Sequence, residues 1–138
     1  MIKKIIALLF LLICSCAVHA EENDLIKAIE GSARSWLALA DDGQYVESWR
    51  MASPHLRHNK TEADWIKTIK AIREPLGLME ARYIATAGYT DGASGLPKGE
   101  YVVVQFYATF KIKGLALETI TLSKEKDEVW RVADYKIK

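Results

Sequence analysis

The chain has little cysteine, little proline and no long run of one charge. Its 138 residues include 2 cysteines and 3 prolines, and its 19 basic side chains nearly balance 18 acidic ones. A nearly neutral chain without a block of like charge has no electrostatic basis for binding a polyanion or lipid head groups. We therefore expect no nucleic-acid partner. With half of its residues hydrophobic, the chain can bury the core of one domain.

Residues 1–20 have the composition of an export signal. Lys3 and Lys4 precede the apolar run from Ile5 to Ile13, and Val18-His19-Ala20 suits a signal peptidase. A transmembrane anchor would need about 20 apolar residues, roughly twice this run. We predict a signal peptide over residues 1–20 and a single mature domain over residues 21–138, periplasmic or secreted, without a transmembrane segment.

Both cysteines lie within this predicted signal, at Cys14 and Cys16. Cleavage after Ala20 would leave a chain without thiols or disulfides, so its stability would come from packing. The segment around Cys16 also weakly matches a lipidation box, which leaves a lipid-anchored form at Cys16 as the alternative.

Three helices are predicted in the first half of the mature chain. Asn23 or Asp24 is expected to cap the first, which ends at Asp41-Asp42-Gly43. The second begins near Tyr45 and closes at Ser53-Pro54, and a polar link from His55 to Lys60 follows. Thr61 and Asp64 resemble a capping box for the third, which Pro75 ends near Arg73.

Four strands are predicted in the second half. Glu100 to Lys113 alternates apolar residues on one face, whereas Tyr101, Gln105, Tyr107 and Lys111 share the other. Because that opposite face is mixed, a homodimer through the outer sheet face is a candidate interaction. The other predicted strands are Leu78 to Thr86, Leu115 to Ser123 and Glu128 to Ile137, with a long connection over Tyr89 to Gly99. In the last of these strands, strict alternation puts Trp130 and Val132 on one face but Tyr135 and Ile137 on the other. One extra residue would bring all four to the same face, which predicts a β-bulge at Ala133-Asp134. The fold class is α+β, with three helices packed on a curved, four-stranded antiparallel meander.

Several motifs resemble one known family. They are Trp36-Leu37-Ala38-Leu39, Asp42-Gly43-Gln44-Tyr45, Ser48-Trp49, Trp65, Arg73-Glu74-Pro75-Leu76-Gly77, the stretch from Glu100 to Phe106, Glu118-Thr119, Trp130-Arg131-Val132, Tyr135 and Ile137. Together they resemble the secreted bacterial family called domain of unknown function 4019, over residues 30–138. The resemblance implies a cystatin-like or nuclear-transport-factor-2-like fold and brings no established activity. Ala133 departs from it, because glycine is expected there.

Glu118 is the strongest candidate site residue. Alternation places it with Ala116, Ile120 and Leu122 on the inner face of the sheet. A desolvated carboxylate there would act as a base or anchor a ligand. Alternatively, it pairs with Arg50, Arg73 or Arg82, since buried ions are usually paired.

Four further residues are assigned to the same speculative ligand site, and no residue is assigned a catalytic role. They are Tyr45, Trp49, Gln105 and Tyr135. The aromatic members would line a pocket or simply belong to the core.

No cofactor or metal is expected. His55 and His58 have helical spacing but no third ligand beside them. The leading hypothesis is a binding module that holds a small apolar ligand or a peptide in the helix and sheet cup. The alternatives are an enzyme that uses Glu118 as a general base, which we disfavour, and a structural accessory subunit of an envelope complex.

Overall fold

A computed structural model describes residues 2–93 and 95–138, with side chains described from residue 18 onward. Four helices precede a four-stranded antiparallel sheet, so the chain is an α+β protein. The helices are α1 (Ile2–Asp41), α2 (Tyr45–Arg50), α3 (Pro54–Asn59) and α4 (Glu62–Arg73), followed by a 3-10 turn at Glu74–Leu76. The strands are β1 (Met79–Thr90), β2 (Tyr101–Phe110), β3 (Gly114–Lys124) and β4 (Trp130–Ile137).

Helix α1 is longer than the sequence predicts. It continues without a break through Asn23 and Asp24, so the predicted helix start at these residues is wrong for the full chain. Its end at Asp41 is as predicted, and Gly43, with φ of 71°, turns the chain toward α2. The side chains that predict the export signal lie largely outside the described residues, Cys14 and Cys16 among them. No helix in the described part of the chain is long and apolar enough to cross a bilayer.

Helix α3 occupies most of the segment from His55 to Lys60 for which the sequence predicts a polar link, so that prediction is wrong. Pro54 stands in its first turn, and the Ser53 hydroxyl accepts a hydrogen bond from the Leu56 amide at 3.2 Å. Leu56 is buried, so this short helix contributes to the core. Helix α4 begins after Thr61, whose hydroxyl accepts from the Asp64 amide at 3.2 Å, and it ends at Arg73, as predicted.

The sheet is an antiparallel meander in the order β1-β2-β3-β4, as predicted. Strand β1 continues to Thr90 instead of ending at Thr86, because Gly88 and Tyr89 pair with Val103 and Val102 of β2. Pairing with an apolar neighbouring strand therefore outweighs the weak strand propensity of glycine.

The predicted β-bulge in β4 is confirmed. Thr121 pairs with Asp134 and Leu122 pairs with Val132, which leaves Ala133 as the extra residue. Val132 and Tyr135 are consequently both buried. The bulge keeps the apolar residues of β4 on the side of the sheet that faces the helices.

The core lies between that inner face and the helices. Val104, Phe106 and Ile120 of the sheet and Leu37 and Ile69 of the helices are fully buried. The helices thus cover the inner face, whereas Tyr83, Tyr107 and Leu115 on the outer face are exposed.

Candidate functional site

The last turns of two helices carry charged side chains into the interior. Arg73 lies on the same face of α4 as the buried Trp65 and Ile69, because these three residues are spaced four positions apart in sequence. Asp41 follows the buried Leu37 by the same spacing on α1. Helix geometry therefore points one guanidinium and one carboxylate toward the same end of the core.

The sheet supplies the opposite charges. Glu118 of β3 pairs with Phe106 of β2, on the inner face. Arg82 of β1 pairs with Ala108, which in turn pairs with Ala116, and both alanines are buried. Two small side chains beside Arg82 leave space for its guanidinium above the sheet.

These four side chains and Tyr135 form one network, called here the ion cluster. Glu118 Oε1 lies 2.9 Å from Arg73 Nη1, and Glu118 Oε2 lies 2.6 Å from Arg82 Nε. Asp41 accepts from Arg82 Nη1 at 2.7 Å and Nη2 at 2.9 Å, and it also pairs with Arg73. The Tyr135 hydroxyl donates to Glu118 Oε1 at 2.8 Å and accepts from Arg73 Nη1 at 3.1 Å.

The ion cluster is buried and electrically balanced. Glu118 is 0% exposed and the side chains of Arg73, Arg82 and Asp41 are 5%, 6% and 13% exposed. Two guanidiniums and two carboxylates give no net charge. Among the described residues, no buried side-chain nitrogen or oxygen lacks a hydrogen-bond partner. The geometry meets the conditions under which buried ions are tolerated.

Burial and contacts shift the pKa values of Asp41, Tyr135 and Arg82. Burial alone would raise the pKa of Asp41, but hydrogen bonds and charges from Arg82 and Arg73 outweigh it and lower the pKa below its ordinary value of 3.8. Burial, followed by the charge of Glu118, raises the pKa of Tyr135 far above its usual range. Burial alone would lower the pKa of Arg82, but its bonds to Asp41 and Glu118 raise it. These shifts keep Asp41 and Arg82 charged and Tyr135 neutral at neutral pH.

The five residues proposed from the sequence do not converge. Glu118 and Tyr135 meet in the ion cluster, whereas Tyr45 and Trp49 are partly buried against the apolar core. Trp49 Nε1 donates to the Lys60 carbonyl at 2.8 Å. Gln105 lies on the outer face, where it bonds Thr86 at 3.0 Å and Thr119 at 3.3 Å.

The paired alternative for Glu118 matches the structure for Arg73 and Arg82. Arg50 lies elsewhere, with its guanidinium nitrogens 3.9 Å from Glu47 and 3.8 Å from Glu62. Sequence reasoning missed Asp41 altogether. The available signal was that Asp41 follows Leu37 by four residues on α1. A charged residue on the apolar face of a helix indicates a buried charge that needs partners.

Two of the tryptophans belong to the core. Trp36 and Trp65 are each 4% exposed, and their ring centroids lie 5.9 Å apart. Ser48 satisfies both indoles: its carbonyl accepts from Trp36 Nε1 at 2.8 Å, and its hydroxyl accepts from Trp65 Nε1 at 2.9 Å. Their indole N–H groups are thus already used within the protein.

An open groove of about 660 Å³ lies away from the ion cluster, between α1, α2 and β4. Its α1 wall includes the small residues Gly31, Ser32 and Ser35 beside the larger Trp36 and Leu39. Met51 and Trp130 stand on the other walls. The groove is called here the α1–β4 groove.

The described residues offer no metal centre. No three His, Cys, Asp or Glu side chains within them come together in an arrangement that would hold a metal ion. His55 instead lies 2.9 Å from the Asn59 side chain.

The fold and the cluster together define the class: an α+β protein whose helices are joined to a four-stranded antiparallel meander by a buried charge network. The chain belongs to the family described as protein of unknown function (DUF4019), whose model matches residues 32–135. A protein from Catenulispora acidiphila, with a structure at 2.5 Å, is similar in fold, with a TM-score of 0.53 and 12% identity over 86% of this chain and 93% of that chain. At this identity the likeness shows the fold alone. The comparison with curated proteins found no match.

Proposed function

We propose that the protein is an exported, non-enzymatic binding module that takes a small apolar molecule into the α1–β4 groove. We also propose that its fold is of the cystatin-like or nuclear-transport-factor-2-like class, which is supported by helices that cover one face of a four-stranded meander. The composition of residues 1–20 supports export, with the mature domain starting at Glu21.

The contacts of Glu118 favour binding elsewhere over catalysis at this residue. Both of its carboxylate oxygens accept hydrogen bonds from arginine, and Tyr135 adds another. A general base needs a free lone pair within reach of the substrate proton. The region around Glu118 is filled by its own partners, so the cup does not receive the ligand there.

The α1–β4 groove is the observation that carries the proposal. Its volume of about 660 Å³ lies within the roughly 300–1,000 Å³ typical of small-molecule sites. Trp130 offers a partly buried indole, and Met51 is 56% exposed beside it. Such side chains favour apolar ligands over charged ones.

Gly31 supports the same groove independently. A glycine inside a helix costs about 0.5–1 kcal/mol relative to alanine. A Cβ added at Gly31 would meet nothing within 4 Å, so no contact within the protein requires glycine there. The absent side chain widens the groove, which suits a ligand that approaches the helix closely.

Filling the groove tests the proposal. Ser35→Trp places an indole in the groove from an exposed position, whereas Ala38→Trp adds the same group to an exposed position of α1 outside the groove lining. The probe is the neutral dye N-phenyl-1-naphthylamine, followed by its fluorescence. We expect saturable binding to the natural protein and to Ala38→Trp, and binding at least about ten-fold weaker for Ser35→Trp.

Two outcomes of the dye titrations would contradict the proposal. One is the absence of saturable dye binding by the natural protein. The other is equal binding by both variants, which would place the dye outside the groove. A titration with an apolar peptide that competes only weakly with the dye would confirm the small-molecule preference, whereas stronger binding of the peptide would overturn it.

A further inference from the structure

The outer face of the sheet has a composition unlike the rest of the chain. Nine outward positions on β1, β2 and β3 form one surface, called here the outer patch, and none is charged. They are Ala81, Tyr83, Thr86, Gln105, Tyr107, Thr109, Leu115, Leu117 and Thr119. Charged residues make up 27% of the whole chain.

Large side chains of the outer patch are exposed. Tyr83 and Tyr107, which pair across β1 and β2, are 70% and 52% exposed, and Leu115 is 68% exposed. Charged residues stand around the patch instead, such as Lys136 on β4, opposite Thr119, and Lys111 after β2. An uncharged centre rich in tyrosine inside a charged rim is the composition of a protein interface.

We propose that the outer patch is the contact surface between two copies of this chain, packed face to face around a two-fold axis. The polar groups of the patch select a second copy as the partner. They are tyrosine and threonine hydroxyls, each of which both donates and accepts hydrogen bonds, and the Gln105 amide, which already bonds Thr86 and Thr119. The donors on one copy of such a face can bond the acceptors on an identical face, as an isologous interface requires.

Charge supports the same partner. The formal net charge of the whole chain is +1, so two copies meet with little mutual repulsion. A basic or acidic partner would find no complementary charge on the patch, although such complementarity steers association between different proteins.

The edges of the sheet are less suited to self-association. The register of β1 shifts between Met79 and Ala81 and again between Ile84 and Thr86. On β4, the Val132 carbonyl already accepts from the Ser53 amide at 2.8 Å. Bulges and covered edges oppose the addition of another strand, so the face is the available surface.

The size of the patch sets the expected affinity. A fully buried aromatic side chain contributes roughly 200 Å², so the exposed parts of Tyr83 and Tyr107 offer about 250 Å² per copy. Standard interfaces use about 800 Å² per partner. The seven smaller residues bring the patch toward the lower end of that range, and we expect a dimer with a dissociation constant on the order of micromolar.

Sedimentation equilibrium of the protein in the form that cells accumulate tests the proposal. From about 1 to about 300 µM, the mean mass should rise from that of one copy toward that of two. Tyr107→Glu would bury two unpaired charges in the dimer and should raise the dissociation constant at least about 100-fold. Leu78→Glu, at a 69% exposed position outside the patch, should leave it unchanged.

Circular dichroism shows whether each variant is folded. If Tyr107→Glu does not fold, Tyr83→Lys serves as the disrupting variant. A monomer at about 300 µM would overturn the proposal and leave a different protein as the partner of the patch. A dimer that survives both patch substitutions, or that Leu78→Glu weakens equally, would also overturn it. These results are independent of dye binding in the α1–β4 groove.

Discussion

Replacing Glu118 by glutamine tests the role of the ion cluster most directly. The side chain keeps its size and loses its charge, so the packing around β3 changes little. Arg73 and Arg82 would then share one remaining carboxylate, that of Asp41. We expect the protein to fold with lower stability, because a buried positive charge is left without its partner.

The magnitude follows from burial. Breaking one side of a buried ion pair costs about 3–5 kcal/mol, and Glu118 is 0% exposed while bonding two arginines. The amide oxygen of glutamine still accepts one or two hydrogen bonds, but its NH₂ group would face guanidinium donors. A whole domain has about 5–15 kcal/mol of stability, so the substitution removes a large share of it.

Urea denaturation at neutral pH measures this loss. Glu62→Gln is the matched control, because it removes a carboxylate 3.8 Å from Arg50 with both side chains largely exposed. Surface pairs of this kind contribute about 0–1 kcal/mol. A loss below about 1 kcal/mol for Glu118→Gln, or a loss equal to that of the control, would refute the assignment of Glu118 as a buried, paired charge.

Two further predictions concern pH and processing. Because the pKa of Asp41 is lowered in the folded protein, its stabilising contribution is complete above the unfolded pKa of about 4 and is lost as the pH falls through the folded pKa. Urea midpoints between about pH 5 and pH 2.5 should therefore fall less steeply for Asp41→Asn than for the natural protein, and equal slopes would contradict this. Intact-mass analysis of the exported protein should find Glu21 at the N-terminus, whereas a diacylated Cys16 would move the molecule to a membrane surface.

The sequence was informative where one residue decides local geometry. The alternation of β4 required an extra residue, and Ala133 is that residue. Thr61 caps the start of α4 because its hydroxyl accepts a hydrogen bond from the Asp64 amide. By contrast, α3 was missed although Ser53 followed by Pro54 is a regular helix start, because a six-residue helix has almost no periodicity to recognise.

The ion cluster was only partly predictable. Alternation placed Glu118 on the inner face, but its partners come from α1, α4 and β1, and no local pattern states which arginine reaches it. Gln105 directly precedes Phe106 on β2, so alternation puts its side chain on the opposite face from the core. Its assignment to the ligand site is therefore wrong, and the structure places it on the outer face. Residues distant in sequence meet through tertiary packing, which spacing alone does not encode.

The long sequence separation within the ion cluster has a consequence for how the chain folds. Arg73 and Tyr135 are 62 positions apart, and Tyr135 lies on β4, the last strand of the sheet. Arg73 and Glu118 therefore lack the Tyr135 hydroxyl until β4 has joined the sheet. A chain still emerging from a ribosome keeps these two side chains partly hydrated, and the ion cluster is completed only after β4 has paired with β3.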